Sequence, residues 1–306
     1  MTLASTVPSF GTSKRAHRLD ANTFALSRRF VTVSGNRIAY VQRGRGPAVL
    51  FLHGFPLNGF QWRGALERLS KHRRCIAPDF MGLGYTEAGE HQDLSPPAQA
   101  DMLVGLLDAL SIHTADLVAN DSGGAIAQLF LARHGDRART LLITNCDVDS
   151  NSPPLAFKPF LEAAKKGALA EGLARQLADK QLARSTKGLG AFYTDPANLT
   201  DEAIDYYFSP LVSFAFRKEQ FNRYAASFEQ NPLVSIRPEL KLSKTPTRIV
   251  WATADTTFDV SWAHWLDQTL PQSRGIRLVE GAKLFFPEEM PDLIAEEALG
   301  LWKGIS

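Results

Sequence analysis

Two cysteines in 306 residues, Cys75 and Cys146, exclude a disulfide framework, and both lie in or beside apolar runs that read as strands. A reducing, cytoplasmic setting is expected. No apolar stretch approaches the roughly 20 residues a bilayer span needs, and the opening Met1-Thr2-Leu3-Ala4 lacks a basic segment leading into an apolar core. Neither a membrane partner nor secretion is expected. There is no run of five basic residues, and Lys plus Arg at 34 against Asp plus Glu at 32 gives a net charge of +2, so nucleic acid is not an expected partner either. Acidic residues are missing before Asp20; that Ser/Thr-rich start only weakly resembles a transit peptide and reads as a loosely packed arm over 1–28. Histidine is scarce, and none follows His264.

What is present is a foldable interior. At 44% hydrophobic and 22% charged residues the chain can bury a large core. Phe30–Val33 and Ile38–Val41 flank Ser34-Gly35-Asn36 as a hairpin. The pattern then alternates: a strand at Ala48–Leu52, a helix near 60–71, a strand at Cys75–Ala77, a helix over about 96–110 opened by Pro96-Pro97, a strand ending at Ala119, a helix through His134, and a strand at Thr140–Thr144. From Asp147 to about Lys244 helical patterns occur without a convincing strand. Alternation resumes at Arg248–Trp251, a helix over 261–270, the strand Ile276–Val279 and a Glu- and Leu-rich terminal helix. The predicted fold class is α/β, a mostly parallel sheet covered on both faces, with a core from 29–147 and 243–306 and a helical insertion over 148–242.

The most informative segment is Leu117-Val118-Ala119-Asn120-Asp121-Ser122-Gly123-Gly124. An apolar run breaking into small residues around one reactive side chain reads as a strand-to-helix nucleophile elbow, whose crowding demands small residues two before and two after its centre. Ala119 and Gly123 meet that demand around Asp121; centring on Ser122 would place Asn120 at a flank. Asp121 is therefore read as the nucleophile ahead of Ser122, the plain alternative being an Asp that caps the next helix.

His53-Gly54-Phe55-Pro56 follows one buried strand and Asp79-Phe80-Met81-Gly82-Leu83-Gly84 the next. With the elbow, in this order, these motifs resemble the α/β-hydrolase superfamily, and within it the branch of haloalkane dehalogenases and epoxide hydrolases, over about 30–303. The resemblance implies a helical cap at about 148–242 and a pocket for an oxyanion or leaving group built from the backbone N–H groups of Phe55 and Ser122. It also implies an acid at Asp255, with Asp147 as the other candidate. An aspartate attacking a carbonyl would give an unstable anhydride, whereas displacement at an alkyl carbon gives an ordinary ester; epoxides and alkyl halides are then the natural electrophiles.

The departures are as informative. The family's Gly-x-x-His-Phe loop corresponds to Gly281-Ala282-Lys283-Leu284-Phe285, which puts Leu284 where the water-activating base belongs. His264 is expected to face solvent, His134 to end a helix, and His53 to order its turn. Ser122 stands where dehalogenases carry a halide-holding Trp, which weakens that activity, and Tyr193, Tyr206, Tyr207 and Tyr224 are the acids available in the cap for epoxide opening. His53, Trp62, Asn120, Asp147, Leu284 and Phe285 are expected to line the pocket of a small apolar substrate. No metal or cofactor is expected. The leading reading is a hydrolase acting through Asp121, slowed by the missing His; the alternatives are a lyase or isomerase using Asp121 as acid/base, its pKa raised by apolar neighbours, and a small-ligand binding protein.

Overall fold

A computed structural model describes residues 19–303. The strands are β1 (Arg28–Val33), β2 (Asn36–Arg43), β3 (Ala48–Leu52), β4 (Arg74–Pro78), β5 (Ala115–Asp121), β6 (Ala138–Cys146), β7 (Thr247–Ala252) and β8 (Ser273–Val279). They form one sheet of order β1-β2-β4-β3-β5-β6-β7-β8, antiparallel at β1–β2 and β2–β4 and parallel elsewhere. Every residue of β3 and β5 is buried, as expected of central parallel strands covered on both faces.

The helices of the core are α1 (Ala21–Leu26), α2 (Arg63–Leu69), α3 (Pro96–Ala109) and α4 (Ser122–His134). Between β6 and β7 come α5 (Lys158–Lys165), α6 (Leu169–Ala178), α7 (Lys180–Arg184), α8 (Asp201–Val212), α9 (Ala215–Ala226) and α10 (Arg237–Leu240), and after β7 come α11 (Val260–Thr269), α12 (Phe286–Glu289) and α13 (Pro291–Trp302). No strand is found between β6 and β7 among the described residues.

One expectation needs correcting. Residues 1–18 lie outside the described residues, but the rest of the expected loose arm is packed: Leu19 and Phe24 are buried, and the Phe24 ring meets the edges of Phe60 and Tyr206. Asp20 caps α1 by accepting the Thr23 N–H at 2.8 Å, so a short helix carries an aromatic anchor into the core.

Candidate active site

Strand β5 passes directly into α4, and the reversal falls on Asp121, whose backbone adopts φ 55° and ψ −131°. This is costly for a residue with a side chain and persists only where the surroundings over-determine it. Those surroundings are tight. A Cβ on Gly123 would lie 2.4 Å from the Leu52 carbonyl oxygen, and one on Gly124 would lie 2.3 Å from Cys146 Cβ. Both glycines are thus required, so crowding on that side does not distinguish Asp121 from Ser122. The positive φ sits on Asp121.

The loop after β3 faces the elbow. The Phe55 N–H donates to Asp121 Oδ2 at 2.7 Å, and a Cβ on Gly54 would fall 2.7 Å from the same oxygen, so only glycine allows this approach. Phe55 and Ser122 both line the cavity. The loop is held from behind by a buried relay: Gly54 N–H donates to Gln61 Oε1 (2.8 Å), Gln61 Nε2 to Asn120 Oδ1 (2.7 Å), and Asn120 Nδ2 to Thr144 Oγ1 (2.8 Å) and the Leu284 carbonyl (3.1 Å). Asn120 therefore positions three segments, and it is not among the cavity-lining residues. Gln61 escaped sequence reasoning because a polar residue in an otherwise apolar turn gives no sign of where its amide points.

His53 is likewise a positioning residue rather than a pocket wall. Its Nε2 accepts the Phe80 N–H at 3.1 Å, which leaves the proton on Nδ1 to be donated to the Gly54 carbonyl at 2.9 Å. Burial lowers its pKa to about 4, so the ring stays neutral with neither nitrogen free. Asp79 does similar work, accepting the Gly59 and Tyr85 N–H groups at 2.9 and 2.8 Å. Trp62 was also expected in the pocket, but it is fully buried against Phe51 (ring centroids 5.6 Å apart) and does not line the cavity. His264 is exposed, and His134 ends α4 with Nε2 3.0 Å from Asp101.

Three carboxylates gather at the ends of adjacent strands. Cys146 is the register partner of Asp121, so Asp147 comes immediately beyond it. Burial and the neighbouring Asp147 hold the Asp121 carboxyl well above the ordinary range. Burial also pushes Asp147 up to about 7 and Asp255 to about 6. Their surroundings differ. Asp255 accepts Asn145 Nδ2 on one oxygen (2.9 Å) and the Thr257 N–H on the other (2.8 Å), and it does not line the cavity. Asp147 lines the cavity and has a buried oxygen, Oδ1, with no hydrogen-bond partner.

The cavity has a volume of about 380 Å³. Its walls are mainly aromatic and aliphatic, including Phe157, Phe192, Phe221, Leu284 and Phe285, with Asp121, Ser122, Asp147 and Thr257 among the polar groups. Arg175 and Lys187 border it from exposed positions. The structure thus brings together Phe55, Asp121, Ser122, Asp147, Leu284 and Phe285, and sets His53, Trp62, Asn120 and Asp255 outside the lining.

None of the four tyrosines between β6 and β7, Tyr193, Tyr206, Tyr207 and Tyr224, lines the cavity. Tyr193 donates to Glu288 Oε2 (2.7 Å), Tyr207 accepts from Arg63 Nη1 (3.4 Å), Tyr206 accepts from Arg28 Nη2 (2.5 Å), and Tyr224 donates to Ser122 Oγ (3.4 Å). The segment around Leu284 has a different occupation as well: it clasps the chain between α7 and α8. The Phe285 N–H donates to the Phe192 carbonyl at 3.1 Å, and Glu289 accepts from the Thr194 and Asp195 N–H groups at 2.9 Å each. Glu288 also accepts Arg63 Nη1 at 2.6 Å in a pair with side chains only 2% and 12% exposed. Glu288→Ala would strand the Arg63 charge, so a loss of about 3 kcal/mol in unfolding free energy is expected from chemical denaturation. A loss below about 1 kcal/mol, the range of exposed pairs, would show that the clasp carries little stability.

Comparison with known proteins gives a consistent placement. A family model described as alpha/beta hydrolase fold matches residues 47–289. The 2-hydroxymuconate semialdehyde hydrolase of Pseudomonas sp. is 36% identical over 118 residues, which cover 38% of this chain and only 42% of that protein. Epoxide hydrolase 1 of Caenorhabditis elegans is 24% identical over 285 residues, 88% of this chain and 68% of the relative. The crystal structure of haloalkane dehalogenase DbeA from Bradyrhizobium elkani is similar in fold, with a TM-score of 0.75 at 24% identity over 91% of this chain and 98% of that one. With its eight-stranded sheet and with an elbow formed where β5 meets α4, the chain belongs to the α/β-hydrolase fold family.

Proposed function

We propose that this α/β-fold hydrolase acts on a small, largely apolar electrophile, with Asp121 attacking an alkyl carbon to form an ester on its own carboxylate. The observation that carries the reading is the elbow geometry: a strained Asp121 with one oxygen held by the Phe55 N–H, at the wall of an apolar cavity. The N–H groups of Phe55 and Ser122 favour the ionised form of a carboxylate that burial would otherwise keep neutral. Apolar walls strip water from it and strengthen it as a nucleophile. Strained-ring ethers suit the site better than halides, because a departing halide needs several donors and Ser122 replaces the indole that would help hold it. The epoxide hydrolase relative points to the same class of electrophile.

The two steps are unequal. Attack needs the carboxylate and, for an epoxide, a proton for the ring oxygen, whereas release needs a water to be deprotonated, and Leu284 stands where the family's histidine base would be. Release is therefore rate-limiting. Incubation with styrene oxide, followed by peptide mass spectrometry, should find the adduct on Asp121; a label on Ser122 would turn the reading towards an esterase. A second reading, an Asp121 that shuttles protons as in a lyase or isomerase, draws on the raised pKa values of the three carboxylates. It predicts no adduct at all.

A further inference from the structure

We propose that Asp147 is the proton-transfer residue of this site, giving a proton to the ring oxygen when Asp121 opens an epoxide and taking one from the water that hydrolyses the ester. The inference rests on Asp121 as nucleophile and assigns the group that completes its chemistry.

The first support is position. Because Cys146 is the register partner of Asp121, the two carboxylates stand at the ends of neighbouring parallel strands and line one cavity. The second is an unsatisfied atom. Asp147 is 3% exposed, yet Oδ1 has no hydrogen-bond partner, which is costly unless a ligand or water meets it. Thr257 Oγ1, also on the cavity wall, is buried and unpartnered too, so a polar atom of a ligand could meet both groups. The third is that the other candidates are engaged. His53 has both ring nitrogens committed, Asp255 has both oxygens bonded and lies outside the lining, and the four cap tyrosines lie outside it as well.

The proton's resting place follows from the donors. Two buried carboxylates side by side do not both ionise. Asp121 receives the Phe55 N–H and the Ser122 N–H, which favour the anion, while Asp147, though near the Ser152 hydroxyl and its own N–H, keeps Oδ1 without a partner. The negative charge therefore belongs on Asp121 and the proton on Asp147. In the first step an Asp121 oxygen bonds to the ring carbon, the ring C–O bond breaks, and its electron pair takes the Asp147 proton to form a hydroxyl. In the second, water adds to Asp121 Cγ while Asp147 accepts its proton, and the oxyanion rests against the N–H groups of Phe55 and Ser122. Collapse expels the alkoxide, which recovers that proton from Asp147, leaving a diol and a protonated Asp121 with one oxygen from water; Asp121 then passes this proton to Asp147, which restores the starting pair.

Leaving groups provide the test. Opening an epoxide needs a proton, whereas iodide departs without one. Asp147→Asn should slow Asp121 adduct formation by styrene oxide about 10²-fold, slow the reaction with 1-iodopropane far less, and lengthen the life of the preformed ester. Asp147→Glu should recover part of the epoxide reaction. Equal slowing with both electrophiles would reveal a merely structural role and overturn the proposal; no slowing with either would also overturn it. If the unaltered protein forms no Asp121 adduct with either electrophile, the nucleophile reading fails first, and this proposal with it. Should the Asn variant not fold, the unaltered protein decides through pH. The groups facing Asp147 are Asp121 and Cys146 on the strand ends and Tyr224 from the cap, with Asp255 acting on Asp121. Epoxide alkylation should fall as pH rises through neutrality while iodide alkylation does not, and parallel profiles would overturn the assignment.

Discussion

Leu284→His is expected to shorten the lifetime of the Asp121 ester by about 10²–10⁴-fold, the range that a positioned general base contributes. The side chain at 284 already lines the cavity with Asp121, and its backbone is fixed by the Asn120 amide donating to the Leu284 carbonyl at 3.1 Å. An imidazole there would enter a wall whose position is set from behind. Its orientation depends on Asp255. Each Asp255 oxygen accepts one hydrogen bond, from Asn145 or Thr257, and keeps a lone pair that a ring N–H could use. Asp255→Asn in the Leu284→His background should therefore remove most of the gain. The measurement is the decay of the styrene oxide adduct by intact-protein mass spectrometry. Rapid steady-state turnover by the unaltered protein would falsify the idea that release is slow for want of a histidine at 284.

Much of this architecture is legible in the sequence because strand–helix alternation and small-residue crowding are local. Ala119, Gly123 and Gly124 mark the tight passage from β5 to α4, and the positive φ within it falls on Asp121. The fate of polar side chains was not legible in the same way, since a hydrogen-bond partner can come from anywhere in the fold. Glu288 meets Tyr193 across 95 residues, and Asn120 meets Leu284 across 164. Composition could present the cap tyrosines as acids, but only the fold reveals that their hydroxyls are spent elsewhere. Trp62 failed as a pocket residue for a simpler reason: a large aromatic serves a core and a cavity wall equally well. Leu284 is the reverse case. Its meaning came from what the family pattern requires at that place, and the structure adds that its neighbours Glu288 and Glu289 tie the segment to the chain between α7 and α8.

The buried carboxylates also impose a cost on the fold, and its sign can be worked out. In the unfolded chain Asp147 ionises near its ordinary value of 3.8, whereas in the folded protein burial holds the proton until about pH 7. Between those values the folded state binds more protons than the unfolded state, so stability falls as pH rises and the loss is complete above the folded pKa. Three units at about 1.36 kcal/mol each bound the effect of this one residue at about 4 kcal/mol. Asp255, raised to about 6 by burial, acts in the same direction over a narrower window. Other titrating groups add their own pH dependence, so the cleanest observable is a difference between proteins. Asp147→Asn removes the ionisation while keeping the size and polarity of the side chain. It should raise unfolding free energy by up to about 4 kcal/mol near pH 8 and leave it nearly unchanged at about pH 3, where both states of the unaltered protein hold the proton. Urea titrations of both proteins at the two pH values give the comparison. A variant that is destabilised more at the higher pH than at the lower would mean that the Asp147 carboxylate is held by partners in its charged form, and that the nearby carboxylates do not compete for a proton.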